Sequence, residues 1–107
     1  MHIEDMEAST FEGLEGSTYD VYREDGSFAF KMKLVEVRLD KPHEKPTKWQ
    51  SVFNYRRQPF SLFFESDRKE LVRKNSFTDG GVFERSPVKI EPVDETPSGH
   101  IYQMCFN

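Results

Sequence analysis

A stretch in the middle of the chain contains the side chains of this sequence that are most suited to binding. It carries Trp49, Phe53, Tyr55, Arg56 and Arg57. Trp, Tyr and Arg are enriched at the centres of protein interfaces, because they bury a large area and still offer polar groups. The same mixture could stack on the bases of single-stranded nucleic acid. In the simplest alternative, Trp49 and Phe53 belong to the core and the arginines form a solvated edge.

From this pattern we predict partner contacts at Trp49, Tyr55, Arg56 and Arg57, with another protein as the partner. Nucleic acid is the less favoured partner, because the net charge is −4, from 19 acidic and 15 basic residues. Nucleic-acid binding usually needs a strongly basic face. The run 68–74 is also rich in charge, but such runs are usually solvated faces, and we interpret this one in that way.

The sequence shows no pattern of metal-binding or acid–base residues. His2, His43 and His100 do not form a recognised metal-ligand spacing with one another or with a Cys or acidic residue. We interpret them as solvated loop residues, with a site assembled by folding as the alternative. Asp94 and Glu95 are adjacent in a predicted loop, where neither gains the burial that acid–base catalysis needs. We therefore expect no metal, no cofactor and no enzymatic activity.

Motifs for nucleophilic catalysis and phosphate binding are missing as well. Serines are frequent, but none lies in Gly-x-Ser-x-Gly. The Asp-Gly-Gly segment at 79–81 lacks the Gly-Lys-Ser/Thr ending of a phosphate loop. Cys105 is the single cysteine, so no intramolecular disulfide can form. In a predicted strand, we expect it to be a small buried apolar residue.

Length and composition predict one β domain spanning residues 1–107, with residues 1–9 as a flexible segment. Only 36% of the residues are hydrophobic, but 14% are aromatic, and each buried ring removes about 150–250 Å² from water. The first residues lack the apolar region of a secretory signal, and no stretch approaches the roughly 18 apolar residues of a membrane span. We therefore expect a cytoplasmic protein that does not insert into a membrane.

Alternating apolar and polar residues predict a mainly-β fold. Asp25-Gly26 lies between two β-rich runs, which is a strong hairpin signal because the turn needs positive φ. About six short strands separated by turn residues are typical of a small antiparallel barrel or sandwich. The predicted elements are one helical turn within 7–16, strands at 18–24, 27–39, 49–55, 60–64, 88–93 and 101–106, and a further short strand at 75–78.

The predicted strand 27–39 changes phase at its middle. Its apolar side chains lie at even positions first and at odd positions afterwards: Phe28, Phe30, Met32 and Leu34, then Val35, Val37 and Leu39. A regular strand cannot change parity without turning its apolar side over. We therefore predict a bulge or a sharp bend near Leu34 and Val35.

Five short motifs lie along the chain in the order in which they occur in a known family. They are Phe11-x-x-Leu14-x-Gly16-x-x-Tyr19-x-Val21, Leu34-Val35-Glu36-Val37, Pro59-Phe60-Ser61-Leu62-Phe63-Phe64, Ile90-Glu91-Pro92-Val93 and Tyr102-Gln103-Met104-Cys105-Phe106-Asn107. With them the chain resembles a bacterial family catalogued as domain of unknown function 6916. Residues 40–58 are longer than the family pattern, and the turn residues usual after the middle strand are missing. The resemblance implies a compact β domain, accessory to phage-tail-like or surface-associated assemblies, and transfers no catalytic residue.

Together these features predict a non-enzymatic protein-interaction or structural module that works through its surface. Self-association through an exposed strand edge is one form of this prediction, because an open edge offers unpaired backbone groups to another chain. The alternative is a small-ligand-binding barrel with a Phe-rich interior. A filled interior favours the module, and a cavity favours the ligand-binding barrel.

Overall fold

The computed structural model describes residues 5–40, 59–72 and 76–106. These residues form one short helix and seven strands. The elements are α1 (Ala8–Phe11), β1 (Thr18–Arg23), β2 (Phe28–Leu39), β3 (Phe60–Ser66), β4 (Ser76–Gly80), β5 (Phe83–Val88), β6 (Glu91–Glu95) and β7 (His100–Phe106). The predicted all-β class and the helical turn are confirmed, whereas the predicted strand 49–55 lies outside the described residues. Within those residues, no helix has the length and apolar character needed to cross a membrane.

The strands form one antiparallel sheet in the order β5-β4-β1-β2-β3-β7-β6. β5 and β6 lie at opposite edges, yet only Lys89 and Ile90 separate them in the chain. Six strand spacings of about 4.8 Å would put the edges of a flat sheet roughly 29 Å apart. The link from Val88 to Glu91 can span at most about 11 Å, which is three Cα–Cα steps. The sheet is therefore strongly rolled, and its edges meet where β5 ends and β6 begins.

The rolled sheet is not closed. Within the described residues, β5 and β6 are not hydrogen-bonded neighbours, so the fold is an open roll, which the terms barrel and sandwich fit only loosely. Each edge strand carries a proline, Pro87 or Pro92, and an irregularity in its pairing. Prolines and bulges on edges hinder the addition of another strand. Self-association through an edge stays a prediction, and these two strands offer it little support.

The predicted bulge in β2 is confirmed. Leu34 pairs with Phe64 and Glu36 pairs with Phe63, so Val35 is an extra residue on β2. Val35 is 38% exposed. After the bulge, the odd-numbered residues of β2 pair with the core-facing residues of β3. Of these residues, Val37 is partly buried against the core, whereas Leu39 is 62% exposed.

A second bulge, which the sequence pattern does not reveal, lies at Ala29. Tyr22 pairs with Phe28 and Val21 pairs with Phe30, so Ala29 is the extra residue on β2. Phe30 is fully buried, but Phe28 lies on the outer face with Tyr22 and is 38% exposed. The prediction that Phe28 shares the core face of Phe30 is therefore wrong, because the bulge turns the strand over between them.

The predicted strand 88–93 is also wrong. β5 ends at Val88 and β6 begins at Glu91, so the predicted strand spans the point where the chain passes from one edge of the sheet to the other. Pro87 and Pro92 have no backbone N–H to donate to a neighbouring strand, and proline is therefore restricted to edge strands. The stretch that forms β5 has three consecutive polar residues and a proline among its six positions, and it gave no strand signal.

The core lies inside the roll and is rich in aromatic rings. Its buried aromatic residues are Phe11, Tyr19, Phe30, Phe60, Phe64, Phe83, Tyr102 and Phe106. The ring of Phe11 lies with its centroid 6.0 Å from those of Phe60 in β3 and Phe106 in β7, and 5.6 Å from that of Phe83 in β5. Because β5 is an edge strand and β7 neighbours the other edge, Phe11 packs across the opening of the roll.

Residues 67–72 follow β3 without regular secondary structure, and we call them the strap. The hydroxyl of Tyr102 in β7 accepts a hydrogen bond from the N–H of Val72 at 3.4 Å and donates one to the carbonyl of Glu70 at 3.3 Å. Burial raises the pKa of Tyr102, so its hydroxyl stays protonated. The side chains at 67–70 are exposed. The described part of the predicted charged run is therefore a solvated loop fastened to the core.

The turn between β6 and β7 packs closely against the end of β3. Ser66 Oγ donates a hydrogen bond to the carbonyl of Arg68 at 3.1 Å and accepts one from the N–H of His100 at 2.9 Å. Gly99 lies directly against the same residue. A Cβ on Gly99 would come within 2.6 Å of Ser66 Oγ and would overlap the Ser66 carbonyl oxygen. Glycine is required here by the close approach of two backbones.

Replacing Thr78 by valine is expected to raise the free energy of unfolding by about 1 kcal/mol. The Thr78 hydroxyl in β4 is the one buried side-chain polar atom in the described part of the chain that lacks a hydrogen-bond partner. Valine keeps the shape of the side chain and removes the unsatisfied group. The measurement is urea unfolding of the variant beside the wild type.

Ser76→Ala on the same strand is the matched control for Thr78→Val. The Ser76 hydroxyl is also buried, but it donates a hydrogen bond to the carbonyl of Val88 at 3.1 Å. This variant is expected to lose about 1 kcal/mol of stability. If Thr78→Val also loses stability, the Thr78 hydroxyl has a partner in solution and the assignment is wrong.

Candidate functional site

The predicted partner contacts Trp49, Tyr55, Arg56 and Arg57 lie outside the described residues, as does the neighbouring Phe53. The structure therefore leaves their role as a prediction.

The other predicted candidates are dispersed. His100 Nε2 donates a hydrogen bond to the carbonyl of Lys69 at 2.9 Å, with the proton assigned from this contact. Asp94 and Glu95 lie in β6, so their predicted place in a loop is wrong, and both are exposed. His2 and His43 lie outside the described residues. Within the described ranges, no three His, Cys, Asp or Glu side chains come together in a group that could hold a metal ion.

Four apolar side chains form a row on the outer face of the rolled sheet. Phe28 pairs with Tyr22, Tyr22 with Phe77, and Phe77 with Pro87, so the row crosses β2, β1, β4 and β5. We call these four residues the outer row. Three strand spacings give it a length of roughly 15 Å. The rings of Tyr22 and Phe28 meet edge to face, with centroids 5.9 Å apart. The row thus forms a continuous apolar strip outside the core.

Two arginines place their guanidinium groups on the rings of the outer row. Arg85 Cζ lies 4.0 Å from the centroid of the Tyr22 ring, and Arg68 Cζ lies 5.5 Å from that of Phe28. Both distances are within the range of a cation–π interaction. Each guanidinium also donates a hydrogen bond to a backbone carbonyl, at 3.1 Å and 3.3 Å respectively. Neither forms an ion pair with a carboxylate of the described residues.

A third arginine, Arg23, fastens the strap to the β1–β2 hairpin. It donates hydrogen bonds to the carbonyl of Phe28 at 2.7 Å and to Ser27 Oγ at 3.2 Å, and it forms an ion pair with Glu70. In the same hairpin, hydrogen bonds from Ser27 lower the pKa of Asp25 and keep that carboxylate ionised. The charge of Arg23 is used within the fold, which distinguishes it from Arg68 and Arg85.

The backbone of Arg85 places its side chain on the outer row. Its φ is 53°, and it is the one non-glycine residue with positive φ in the described ranges. It lies in an irregular part of the β4–β5 ladder, where two residues of β5 oppose one of β4. Such a conformation costs about 1–3 kcal/mol and is concentrated at functional sites, as are bulges. Both features support a role for Arg85 beyond folding.

A shallow groove extends the outer row toward the edge of the sheet. Its volume is about 280 Å³. The lining residues are Glu24, Ser76, Phe77, Pro87, Val88 and Lys89. Because Phe77 and Pro87 belong to both features, the row and the groove form one continuous surface.

Arg38 also stacks on an aromatic ring, but a neighbouring carboxylate compensates its charge. Its Cζ lies 4.4 Å from the centroid of the Phe63 ring, and its Nε donates a hydrogen bond to Glu36 at 2.7 Å. The carboxylate of Glu36 compensates the charge of Arg38. This arginine lies on the β2–β3 side of the sheet, away from the outer row, and it provides a matched control.

The prediction that Cys105 is buried is wrong, because the residue is exposed. Met104 and Phe106 take the inward positions of β7, and Cys105 alternates with them toward the outer face. There it pairs with Ser61 of β3, whose Oγ lies 3.8 Å from Cys105 Sγ. The Ser61 hydroxyl also donates a hydrogen bond to Asp40 Oδ2 at 2.7 Å.

Sequence reasoning missed the outer row. The Asp-Gly hairpin indicated that Tyr22 and Phe28 approach each other. The bulge at Ala29, which turns Phe28 outward, does not disturb the alternation of apolar and polar residues and so could not be predicted. Arg85 lies in a polar stretch, and nothing in the sequence indicated its positive φ. Arg68 was noted as part of a charged run and interpreted as solvated.

The family comparison covers the whole of the architecture described above. The family described as Domain of unknown function (DUF6916) matches residues 6–106. No curated protein and no solved structure matches the chain. The matched range contains α1, all seven described strands, the strap and the outer row, in agreement with the order of landmarks that first indicated this family. The chain belongs to the DUF6916 family.

Proposed function

We propose that this chain is a non-enzymatic protein-interaction module that binds an extended acidic segment of a partner protein along the outer row. The observation that carries the proposal is the pair of guanidinium groups, Arg68 and Arg85, stacked on the exposed ring of Phe28 and the half-buried ring of Tyr22 without a carboxylate from the described residues. Carboxylates are the natural partners of such groups, because two N–H donors of the fork can meet two oxygens.

The dimensions of the surface fit an extended peptide. A strand rises about 3.3 Å per residue, so the roughly 15 Å of the outer row corresponds to four or five residues. The groove of about 280 Å³ at its end adds room for one more side chain. Aromatic rings and arginine are also the residue types enriched at binding hot spots. The surface thus offers apolar contact along the row and positive charge at two points.

The packing of the interior supports the module over the ligand-binding barrel. The rings of Phe60 and Phe106 are nearly parallel, with centroids 4.5 Å apart, and those of Phe30 and Tyr102 are stacked at 5.2 Å. Rings at these distances are in van der Waals contact. The Phe-rich interior is thus filled in these regions by the side chains of the protein itself.

We propose that the module acts in the cytoplasm. A single cysteine and a charge-rich composition suit a cytoplasmic protein. The role implied by the family resemblance, an accessory of a phage-tail-like or surface-associated assembly, is one in which a small module binds a segment of a larger partner. Trp49, Tyr55, Arg56 and Arg57 remain proposed as a further contact surface.

The test is a selection of random seven-residue peptides on the immobilised wild-type protein. We expect enriched peptides to carry Asp or Glu beside a proline or an aromatic residue. A synthetic enriched peptide is expected to bind the double variant Arg68→Gln, Arg85→Asn about 25-fold more weakly, since loss of each contact of about 1 kcal/mol gives a factor of five. Asn is chosen at position 85 because it tolerates positive φ.

Arg38→Gln is the matched control, because it removes a stacked arginine from another part of the sheet. The proposal requires that this variant and wild type bind the peptide equally. Equal binding by the double variant, or no enriched sequence class, would contradict the proposal. Binding of a single-stranded oligo-dT that depends on Arg68 and Arg85, without peptide binding, would assign the surface to nucleic acid instead. Trp49→Ala and Arg56→Ala, measured with the same peptide, show whether the second proposed surface contributes.

A further inference from the structure

We infer that the segment bound by the outer row is strand β6 of a second copy of this chain, so that copies associate head to tail. This inference rests on the proposed function and names its partner. It is carried by the complementarity between two different surfaces of one molecule, the outer row with its two unpaired arginines and the acidic edge strand β6.

β6 has the features that the outer row is expected to bind. All five of its residues, Glu91–Glu95, are exposed, and the strand lies at an edge of the described sheet. Its sequence is Glu-Pro-Val-Asp-Glu, with three carboxylates around a proline and a valine that is 48% exposed. Five extended residues span about 16 Å, which is close to the length of the outer row. Pro92 and the bulge at Val93 disfavour ladder pairing with another strand, so contact through side chains is the mode open to β6.

The charges of β6 are only partly compensated by the described residues. Glu91 forms an ion pair with Lys89, and Glu95 forms one with Lys69, at 3.0 Å and 2.9 Å. The hydrogen bond from Lys69 lowers the pKa of Glu95 and keeps it ionised. Asp94 forms no ion pair within the described residues. Asp94 Oδ1 accepts a hydrogen bond from the N–H of Glu95 at 2.8 Å, but among the described residues no cation compensates its charge, and no carboxylate compensates the guanidinium groups beside the outer row.

The two surfaces are distinct, and this determines the kind of assembly. The outer row crosses β2, β1, β4 and β5, so it shares no strand with β6, although the roll brings the edges of β5 and β6 together at residues 88–91. A contact between two different surfaces is heterologous, and it extends into a ring or a filament rather than closing as a twofold dimer. A five-residue strand buries less than the roughly 1,200 Å² of a stable interface. The association is therefore weak, and salt weakens it further.

The test uses two charge-reversal variants that remove opposite halves of the contact. The row variant is Arg68→Glu, Arg85→Glu, and the strand variant is Glu91→Lys, Asp94→Lys. Sedimentation velocity at protein concentrations up to about 1 mM and low salt measures association. We expect wild type to form species larger than dimers. Each variant alone is expected to be monomeric, with association at least about tenfold weaker.

An equimolar mixture of the two variants gives the decisive result. The row variant keeps an intact β6 and the strand variant keeps an intact outer row, and the reversed charges on the other two surfaces are complementary as well. The mixture is therefore expected to associate, although each variant alone does not. Arg38→Glu is the matched control and is expected to associate like wild type. The inference is overturned if wild type stays monomeric, if either variant associates like wild type, or if the mixture forms no complex. Monomeric wild type that still selects acidic peptides through Arg68 and Arg85 would leave the proposed function standing.

Discussion

Replacing Gly99 by alanine is expected to lower the free energy of unfolding by about 3 kcal/mol or more. The added Cβ would overlap the carbonyl oxygen of Ser66 and lie within 2.6 Å of its Oγ. The overlap is with backbone, which cannot rotate away, so β3 and the β6–β7 turn must separate. Overpacking of this kind typically costs 1–3 kcal/mol, and more where backbone must move. Separation would also strain the hydrogen bond from the His100 N–H to Ser66 Oγ.

Urea unfolding of Gly99→Ala and Gly13→Ala together isolates the steric effect. Gly13 has a φ of 78° and nothing within 4 Å of a Cβ position, so alanine there costs only the strain of positive φ, about 1 kcal/mol. Gly99→Ala is expected to lose clearly more. The double variant Gly99→Ala, Ser66→Ala should not recover, because the main overlap is with the Ser66 carbonyl. Recovery, or a loss below 1 kcal/mol in the single variant, would show that the two backbones are farther apart in solution.

Replacing Phe11 by alanine is expected to lower the free energy of unfolding by about 3–5 kcal/mol. Phe11 is fully buried, and its ring contacts those of Phe60, Phe83 and Phe106. Truncation removes the apolar contact and leaves a cavity where β5 faces β3 and β7. β5 is adjacent to neither β3 nor β7 in the sheet, so no hydrogen-bonded ladder joins β5 to them and compensates for the loss.

Phe28→Ala provides the matched control for Phe11→Ala. Phe28 is 38% exposed and lies on the outer face, so its truncation is expected to cost about 1 kcal/mol or less. Chemical denaturation measures both variants, and hydrogen exchange reports where the first protection is lost. In Phe11→Ala, the amides of β5 are expected to exchange faster than those of β3. Equal losses of stability in the two variants would contradict the role of Phe11 across the opening of the roll.

The first half of the sheet could be predicted because its apolar and polar residues alternate, as they do in a strand with one buried face. β1, β2 and β3 are near their predicted positions, and the bulge at Val35 was visible because the apolar residues change parity there. The bulge at Ala29 could not be predicted, because the apolar residues around it do not change parity. Phe28, Phe30 and Met32 alternate regularly, and only the pairing with Tyr22 shows that Phe28 faces outward. A pattern within one strand cannot report a register that a second strand imposes.

The rolled architecture could not be predicted from strand patterns. It depends on which strands are neighbours, and β5 and β6 are separated by two residues in the chain but by five strands in the sheet. The same limit applies to the candidate site. Arg85 reaches Tyr22 because of its backbone conformation, Phe77 joins the row through the β1–β4 register, and Pro87 joins it through the β4–β5 register. Each of these is a long-range property of the fold.

The position of Phe11 also has a consequence for how the chain folds. Its ring lies 6.0 Å from that of Phe106, although 95 positions separate the two residues in the sequence. Folding slows as the sequence separation between contacting residues grows, because the entropy of loop closure is lost before the contact forms. We therefore expect the packing of α1 to be completed only after β7 has joined the sheet. During synthesis, the ribosome releases Phe11 long before Phe106 exists, so its apolar side chain remains exposed to chaperones through most of translation.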